Sequence, residues 1–218
     1  MSLQIIPRLA ALALLFFPLL ACAEAVTEDK YKQGQHYSLL ATPVKTRNSK
    51  KVEVVEVFWY GCSHCYSFES VVQSWHENQA ADVDFWQSPA IWRDHMVVHA
   101  RAFYAAQQLR KKHPGLHQAI FDAMNVNRNP LKDEAAVAAL FAKHDVSAED
   151  FGKAYNSFAA TSGVRLADAR TRNYKVTGTP ELIVNGKYRV SARMAGSQQD
   201  MLDVVDFLIN KERAATAN

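Results

Sequence analysis

The chain has 218 residues, 49% hydrophobic and 22% charged, with 25 Lys and Arg against 22 Asp and Glu for a formal net charge of +3. That balance suits one globular domain, or one domain with an insertion, and excludes both a disordered chain and a many-spanning membrane protein, since only one stretch, near the N-terminus, is long and apolar. Basic residues that are few in excess and scattered give no footprint for nucleic acid, and three cysteines in a chain this long are no disulfide scaffold.

Met1 to Arg8 carry one positive charge and no acid, Leu9 to Leu20 is an apolar run, and Ala21-Cys22-Ala23-Glu24-Ala25 follows. Basic start, short apolar core and small-x-small exit are the parts of a secretory signal peptide. The run is shorter than the ~20 residues of an uncleaved bilayer-spanning anchor. Two exits compete. Ala21-x-Ala23 suits cleavage before Glu24, which makes residues 1–23 the leader, while Leu19-Leu20-Ala21-Cys22 has the form of a lipobox that would lipidate Cys22. Cleavage and soluble release is the preferred reading. Cys62 and Cys65 then remain, and two cysteines so close in sequence close too small a loop to restrict the unfolded chain. They are there for chemistry.

Residues 24–51 are polar and irregular, with Gly34, Pro43 and Asn48-Ser49, and read as an extended lead-in. Val52 to Trp59 is rich in β-branched and aromatic residues and predicts a buried strand carrying a few acids. Tyr60-Gly61 breaks it, and Phe68, Val71, Val72 and Trp75 follow at helical spacing, so a helix starts close to Cys62. Val83 to Gln87 alternates as a second strand, stopped by Pro89. From His95 to Tyr174 the pattern is helical, with loops at His113-Pro114-Gly115 and Asn127 to Pro130. Ser147 with Asp150 resembles a capping box ahead of Phe151, Ala154, Tyr155 and Phe158. Gly178-Thr179-Pro180 ends the helical region. Glu181 to Val184 and Lys187 to Val190 flank Asn185-Gly186, a strong hairpin signal. Ser197 caps a last amphipathic helix with Met201, Leu202, Val204, Val205, Leu208 and Ile209 inward. The order is β-α-β, a helical block, then β-β-α, with no internal repeat and no glycine-rich phosphate loop.

A C-x-x-C directly after a strand and at the start of a helix is a redox signature. Cys62 would sit where unpaired backbone N–H groups and the positive end of the helix dipole favour an anion. Cys65, one turn on, is close enough to close a disulfide and is covered by the helix. Cys62 is therefore the exposed nucleophile and Cys65 the buried resolving partner, with His64 between them adding positive influence if protonated. A drop of two to four units in thiol pKa stabilises the reduced thiolate by roughly 3–5 kcal/mol, and that makes the disulfide a stronger oxidant. Against this stands half of a zinc site, for which the nearest complement is His95-x-x-x-His99. The long separation from Cys65 and the lack of a second cysteine pair weigh against metal, and His95 and His99 read as solvated or groove-lining helix residues.

Glu56 to Glu69 (EVFWYGCSHCYSFE), Thr179-Pro180 with a strand after it, and Val184-Asn-Gly-Lys-Tyr188 resemble the DsbA family of periplasmic thiol:disulfide oxidoreductases, within the thioredoxin superfamily. The resemblance covers nearly the whole mature chain. It implies an α/β, thioredoxin-like fold with an inserted helical domain: residues 24–94 and 175–218 form the two parts of the thioredoxin-like domain, and 95–174 the insertion. It implies Cys62 as nucleophile, Cys65 as resolving thiol and His64 as the histidine that stabilises the thiolate. Pro180 matches the cis-proline facing the disulfide, with the Thr179 backbone left to pair with an extended substrate; the alternative is an ordinary trans turn. Glu56 matches a buried acid, a candidate proton acceptor for Cys65, its alternative being a surface glutamate at a strand edge. Glu69 matches an acid on the active-site helix and is expected to be a solvated charge. One departure is Ser63, where the family most often has proline, and it leaves the redox potential open.

The activity implied is a monomeric periplasmic oxidase that donates the Cys62–Cys65 disulfide to newly exported, unfolded proteins with free thiols and is re-oxidised by a DsbB-like membrane quinone reductase. No cofactor beyond the cysteine pair and no nucleic acid is expected. Trp59, Tyr60 and Tyr66 are candidates for an apolar groove around the motif, the alternative being core or rim packing. An isomerase or reductase would keep the fold and reverse the electron flow, although no separate N-terminal dimerisation domain is seen. A metal-binding or holdase module would use the two thiols without turnover.

Overall fold

The computed structural model describes Met1 and residues 29–216, so the expected leader over 1–23 and the competing exit at Cys22 lie outside the described residues. Ser38–Leu39 form β1, Val52–Phe58 β2, Ser63–Glu77 α1 and Val83–Pro89 β3. The helices α2 (Asp94–Leu109), α3 (Leu116–Asn125), α4 (Glu134–Ala142), α5 (Ala148–Tyr155) and α6 (Phe158–Asn173) follow. The chain returns as β4 (Glu181–Val184), β5 (Tyr188–Ser191), the short α7 (Ala192–Ala195) and α8 (Gln198–Thr216). The sheet order is β1-β5-β4-β2-β3, with β2 and β3 parallel and the remaining neighbours antiparallel. This is the thioredoxin-like α/β sheet with a helical insertion between β3 and β4.

Strand β2 is the axis of the molecule. Every one of its residues is buried, because it lies between β3 and β4 and is covered on both faces. Val52 and Val54 pack with Phe68 and Val72 of α1 and with Met201, Val205 and Leu208 of α8. Val55 and Val57 point the other way, onto Met96, Tyr174 and Val176. Phe58, at the end of the strand, enters a third cluster with Phe103 of α2, Ile120 and Phe121 of α3, and Cys65. The strand that delivers the C-x-x-C loop is thereby anchored in the sheet core at one end and in the helical insertion at the other.

Three details differ from the sequence reading. The lead-in contains β1, which pairs antiparallel with β5; two residues are too short a run to leave a visible period. Strand β3 continues through Pro89 rather than stopping before it. It is the edge of the sheet, where a missing N–H costs little. The helical stretch after Ser147 breaks at Asn156–Ser157, where Ser157 Oγ accepts from Ala160 N at 3.0 Å and starts α6. Phe158 is consequently 86% exposed instead of joining Phe151, Ala154 and Tyr155 in the core. The expected caps at Ser147 and Ser197 are present, each serine oxygen accepting from the N–H three residues on, at 3.0 Å. Among the described residues no helix is long and apolar enough to cross a membrane.

The β4–β5 turn is the type I′ form expected of Asn-Gly, with φ of 48° at Asn185 and 60° at Gly186, closed by Lys187 N–H donating to Val184 O at 2.9 Å. Gly186 is doubly constrained. Its carbonyl accepts from Val44 N at 2.8 Å, and a Cβ there would collide with the Val44 carbonyl oxygen. Gly186→Ala is expected to destabilise the fold by about 2–3 kcal/mol, read as a lower denaturant midpoint at unchanged slope.

Candidate active site

Cys62 is the N-cap of α1, with φ −95° and ψ 114° and no side-chain cap of its own. The Trp59 carbonyl, at the end of β2, accepts its N–H at 3.0 Å. The first-turn N–H groups of α1 are thus left facing sulfur rather than a capping oxygen. Both cysteines are free thiols here, Cys62 partly exposed and Cys65 buried. A hydrogen bond from the Cys65 thiol draws the Cys62 thiol down to about 5 against the opposing effect of burial, helped by the Thr179 side chain and the backbone N–H groups of Cys65 and His64. Burial pushes the Cys65 thiol well above its ordinary value, and the Cys62 sulfur and the Glu56 carboxyl push it further. The two sulfurs therefore differ widely in acidity.

The Thr179–Pro180 peptide is cis. Pro180 is buried, and the Thr179 carbonyl accepts from the Cys62 thiol at 3.2 Å. His64 is exposed; its carbonyl accepts from Gln198 Nε2 at 2.7 Å. Its backbone N–H is among the groups that act on the Cys62 sulfur. Beside them opens a cleft of about 330 Å³ whose walls include His64, Thr179, Pro180, Arg189 and Arg193.

On the side of β2 that faces α1, below Cys65, lies a buried polar cluster. Glu56 is fully buried, not at a surface edge. Its Oε2 accepts from Gln87 Nε2 at 2.9 Å, and its Oε1 has no partner. Burial, then the charge of Glu69, push its carboxyl up to about 8, so it is neutral at pH 7. Glu69 is 7% exposed, which corrects its reading as a solvated charge. It accepts from Gln87 Nε2 at 2.8 Å and from Gln73 Nε2 at 3.0 Å, and its Oε1 stands 3.3 Å from His117 Nε2. Burial alone would raise it, but the His117 contact and the two amides hold it below the usual carboxylate range. The spacing of Cys65, Glu69 and Val72 on one helical face carried that signal. Gln87 was likewise legible, third in the inward series Val83, Phe85, Gln87. Nothing in the sequence marked His117, which reaches the cluster from the insertion.

His99 also departs from expectation. It is 2% exposed, accepting from Trp59 Nε1 at 3.0 Å and donating through Nε2 to the Pro130 carbonyl at 2.9 Å. Burial lowers its pKa. It holds the Trp59 indole in place, and a Cβ on Gly61 would strike that ring. His95 is exposed nearby, its ring 6.0 Å from that of His99. Among the described residues no group of three or more His, Cys, Asp or Glu side chains could hold a metal ion. Of the three aromatics considered for a groove, Tyr60 takes the alternative reading and is core, 1% exposed.

A sulfur held as an anion beside one that resists ionisation, on a thioredoxin-like sheet, supports thiol–disulfide exchange, the chemistry of the thioredoxin-fold oxidoreductases. The model of the DSBA-like thioredoxin domain matches residues 89–205. The thiol:disulfide interchange protein DsbA of Pseudomonas aeruginosa is 38% identical over 191 residues, covering 88% of this chain and 90% of that protein. Its counterpart in Azotobacter vinelandii is 36% identical over 193 residues, with the same coverage of 88% and 90%. The crystal structure of Pseudomonas aeruginosa DsbA superposes with a TM-score of 0.82 at 38% identity, covering 87% of this chain and 98% of that one. The chain belongs to the DsbA family and is a thiol:disulfide oxidoreductase.

The ultraviolet thiolate absorbance of the reduced protein should titrate with a midpoint near 5 and be lost in Cys62→Ser. Because the folded value lies below the ~8.5 of an unfolded thiol, the stabilisation it gives the reduced form is fully present above ~8.5 and lost as pH falls through about 5. At pH 7 it is worth about 1–2 kcal/mol once solvent screening of a partly exposed sulfur is included, measurable as the gap in stability between reduced wild type and Cys62→Ser.

Proposed function

We propose that this chain is a periplasmic dithiol oxidase whose catalytic residues are Cys62, Cys65, His64, Thr179, Pro180 and Glu56, with the cysteine pair as its only redox centre. The observation that carries the proposal is the unequal acidity of the two sulfurs. A thiolate stabilised at Cys62 favours the reduced protein, so the Cys62–Cys65 disulfide is a strong oxidant.

A thiolate of an exported, unfolded protein attacks the exposed Cys62 Sγ. The Cys62–Cys65 bond breaks, a mixed disulfide forms at Cys62, and Cys65 leaves with the electron pair. Cys65 is buried where a negative charge is costly, so it takes a proton from neutral Glu56, whose Oε1 is free to give one. A second substrate thiolate then attacks the substrate sulfur of the mixed disulfide. Cys62 departs as the better leaving group because its thiolate is already stable near neutral pH. The substrate leaves with a disulfide and the protein as a dithiol. Thr179 lies beside the Cys62 sulfur, placed to align an extended substrate segment, and the cleft at His64 and Pro180 receives it.

The leader over residues 1–23 directs the chain to the periplasm, with Cys22 removed. A DsbB-type membrane quinone reductase returns the pair to the disulfide. The working form is a monomer. The names of its relatives and the resemblance of the motifs support this reading.

The deciding experiment equilibrates the full mature protein in glutathione buffers. A potential well above that of glutathione supports the oxidase despite Ser63; a value near or below that of thioredoxin overturns it for the reductase or isomerase direction. Glu56→Gln, which cannot give up a proton, should slow reduction of the oxidised protein at pH 7 by on the order of 10²-fold. The wild-type rate, corrected for attacking thiolate, should fall as pH rises through about 8, and the variant should lack that dependence. Cys65→Ser should accumulate the mixed disulfide with glutathione.

A further inference from the structure

Two carboxyls, Glu56 and Glu69, share one amide. Gln87 Nε2 has two hydrogens and donates one to each, at 2.9 and 2.8 Å. This neutral bridge treats both alike, and two buried carboxylates this close do not both ionise readily. What distinguishes them lies on the far side of Glu69. His117 of α3 places Nε2 at 3.3 Å from Glu69 Oε1, an ion-pair distance outside the geometry of a full hydrogen bond. Gln73 adds a second neutral amide at 3.0 Å. Glu56 has no corresponding partner, and its Oε1 is bare.

The His117 ring is also held from its other side. Its Nδ1 is 2.6 Å from the Tyr60 hydroxyl. Tyr60 is buried and near the charge of Glu69, and both keep its phenol protonated. The Glu69 carboxylate facing Nε2 would repel a ring lone pair, so the neutral ring carries its own proton on Nε2 and accepts the phenol's proton at Nδ1. The imidazolium also carries a proton there. Either form presents an N–H to Glu69. The remaining faces of the ring meet Phe58, Phe103 and Phe121, with centroids at 5.6, 5.9 and 5.1 Å. The titratable groups facing it are therefore Tyr60 after β2 and Glu69 on α1. Glu56 lies one step further, through Gln87 on β3.

We propose that His117 is a positioning residue that decides which of the two bridged carboxyls carries the negative charge, holding it on Glu69 so that Glu56 keeps the proton it supplies to Cys65. This rests on the proposed role of Glu56 and assigns to the helical insertion a part in the chemistry of the thioredoxin-like domain. A charge on Glu69 repels a second charge on Glu56; without the His117 N–H that preference weakens, and the single charge spreads over both.

The test is a ¹³C titration of the glutamate side-chain carboxyls in the reduced full-length mature protein, wild type against His117→Phe. Phenylalanine keeps the ring among its aromatic neighbours and removes the donor. In wild type Glu56 should hold its proton to about pH 8, with Glu69 ionised throughout the neutral range. In the variant the proton affinity of Glu69 should rise and that of Glu56 fall, each by about tenfold or more. The pH at which glutathione reduction of the oxidised protein begins to slow should fall with that of Glu56. Midpoints unchanged within about twofold in a folded variant overturn the proposal. Imidazole ¹⁵N shifts of wild type test it without a variant: a proton on Nε2 whenever the ring is neutral supports it, and one on Nδ1 overturns it. Carboxyl midpoints that move while the wild-type rate is insensitive to pH near 8 would instead refute the role of Glu56 and leave the charge placement standing.

Discussion

Two sulfurs separated by a single helical turn are solvated unequally, and most of the site follows from that constraint. Cys62 sits at the mouth of α1, where the helix has N–H groups to spare and water is near. Cys65 is carried one turn inward and packed with Phe58 and Phe121. The same negative charge is cheap at one sulfur and costly at the other, because one is met by oriented dipoles and the other by hydrocarbon. That difference favours Cys62 as a leaving group and makes a charge left on Cys65 costly.

The buried acids beneath the helix come at a cost in stability. Glu56 lies on the fully buried central strand in a position that a valine would fill, and it keeps an unpartnered oxygen. An ionised carboxylate there would be strongly disfavoured, so the group remains neutral, the state the proposed proton transfer to Cys65 requires. Glu69 is also buried but ionised, because it alone meets His117. Two acids a few ångströms apart thus occupy opposite states, set by surroundings rather than by residue type.

The helical insertion closes this arrangement. Phe103 of α2 and Phe121 of α3 cap the end of β2 and cover Cys65. His99 of α2 fixes the Trp59 indole beside the motif, and His117 of α3 reaches the acids. The insertion is part of the site's dielectric wall and supplies the imidazole that meets Glu69, so removing it would expose Cys65 and abolish the contrast between the two sulfurs.

Much of this was legible in the sequence because it is written in short-range patterns. The β-branched run of β2, the Asn185-Gly186 turn, the serine caps and the strand–Cys62-x-x-Cys65–helix sequence each follow from local backbone preferences, and the motif alone pointed to redox chemistry. The break at Ser157 was missed because a serine can sit within a helix or cap one, and burial of the flanking residues decides which. Glu69 was read as solvated, and His99 as solvated or groove-lining, because charge and polarity predict exposure until a partner pays the desolvation cost. Those partners, Gln87, His117 and Trp59, come from other elements of the fold. The sequence by itself determined the class of fold and the thiol–disulfide class of chemistry, because both are written in short-range pattern. Only the tertiary structure decided which acid is neutral, which is charged and which histidines are buried, because those states depend on dielectric and hydrogen-bond partners that exist only once distant segments have packed together.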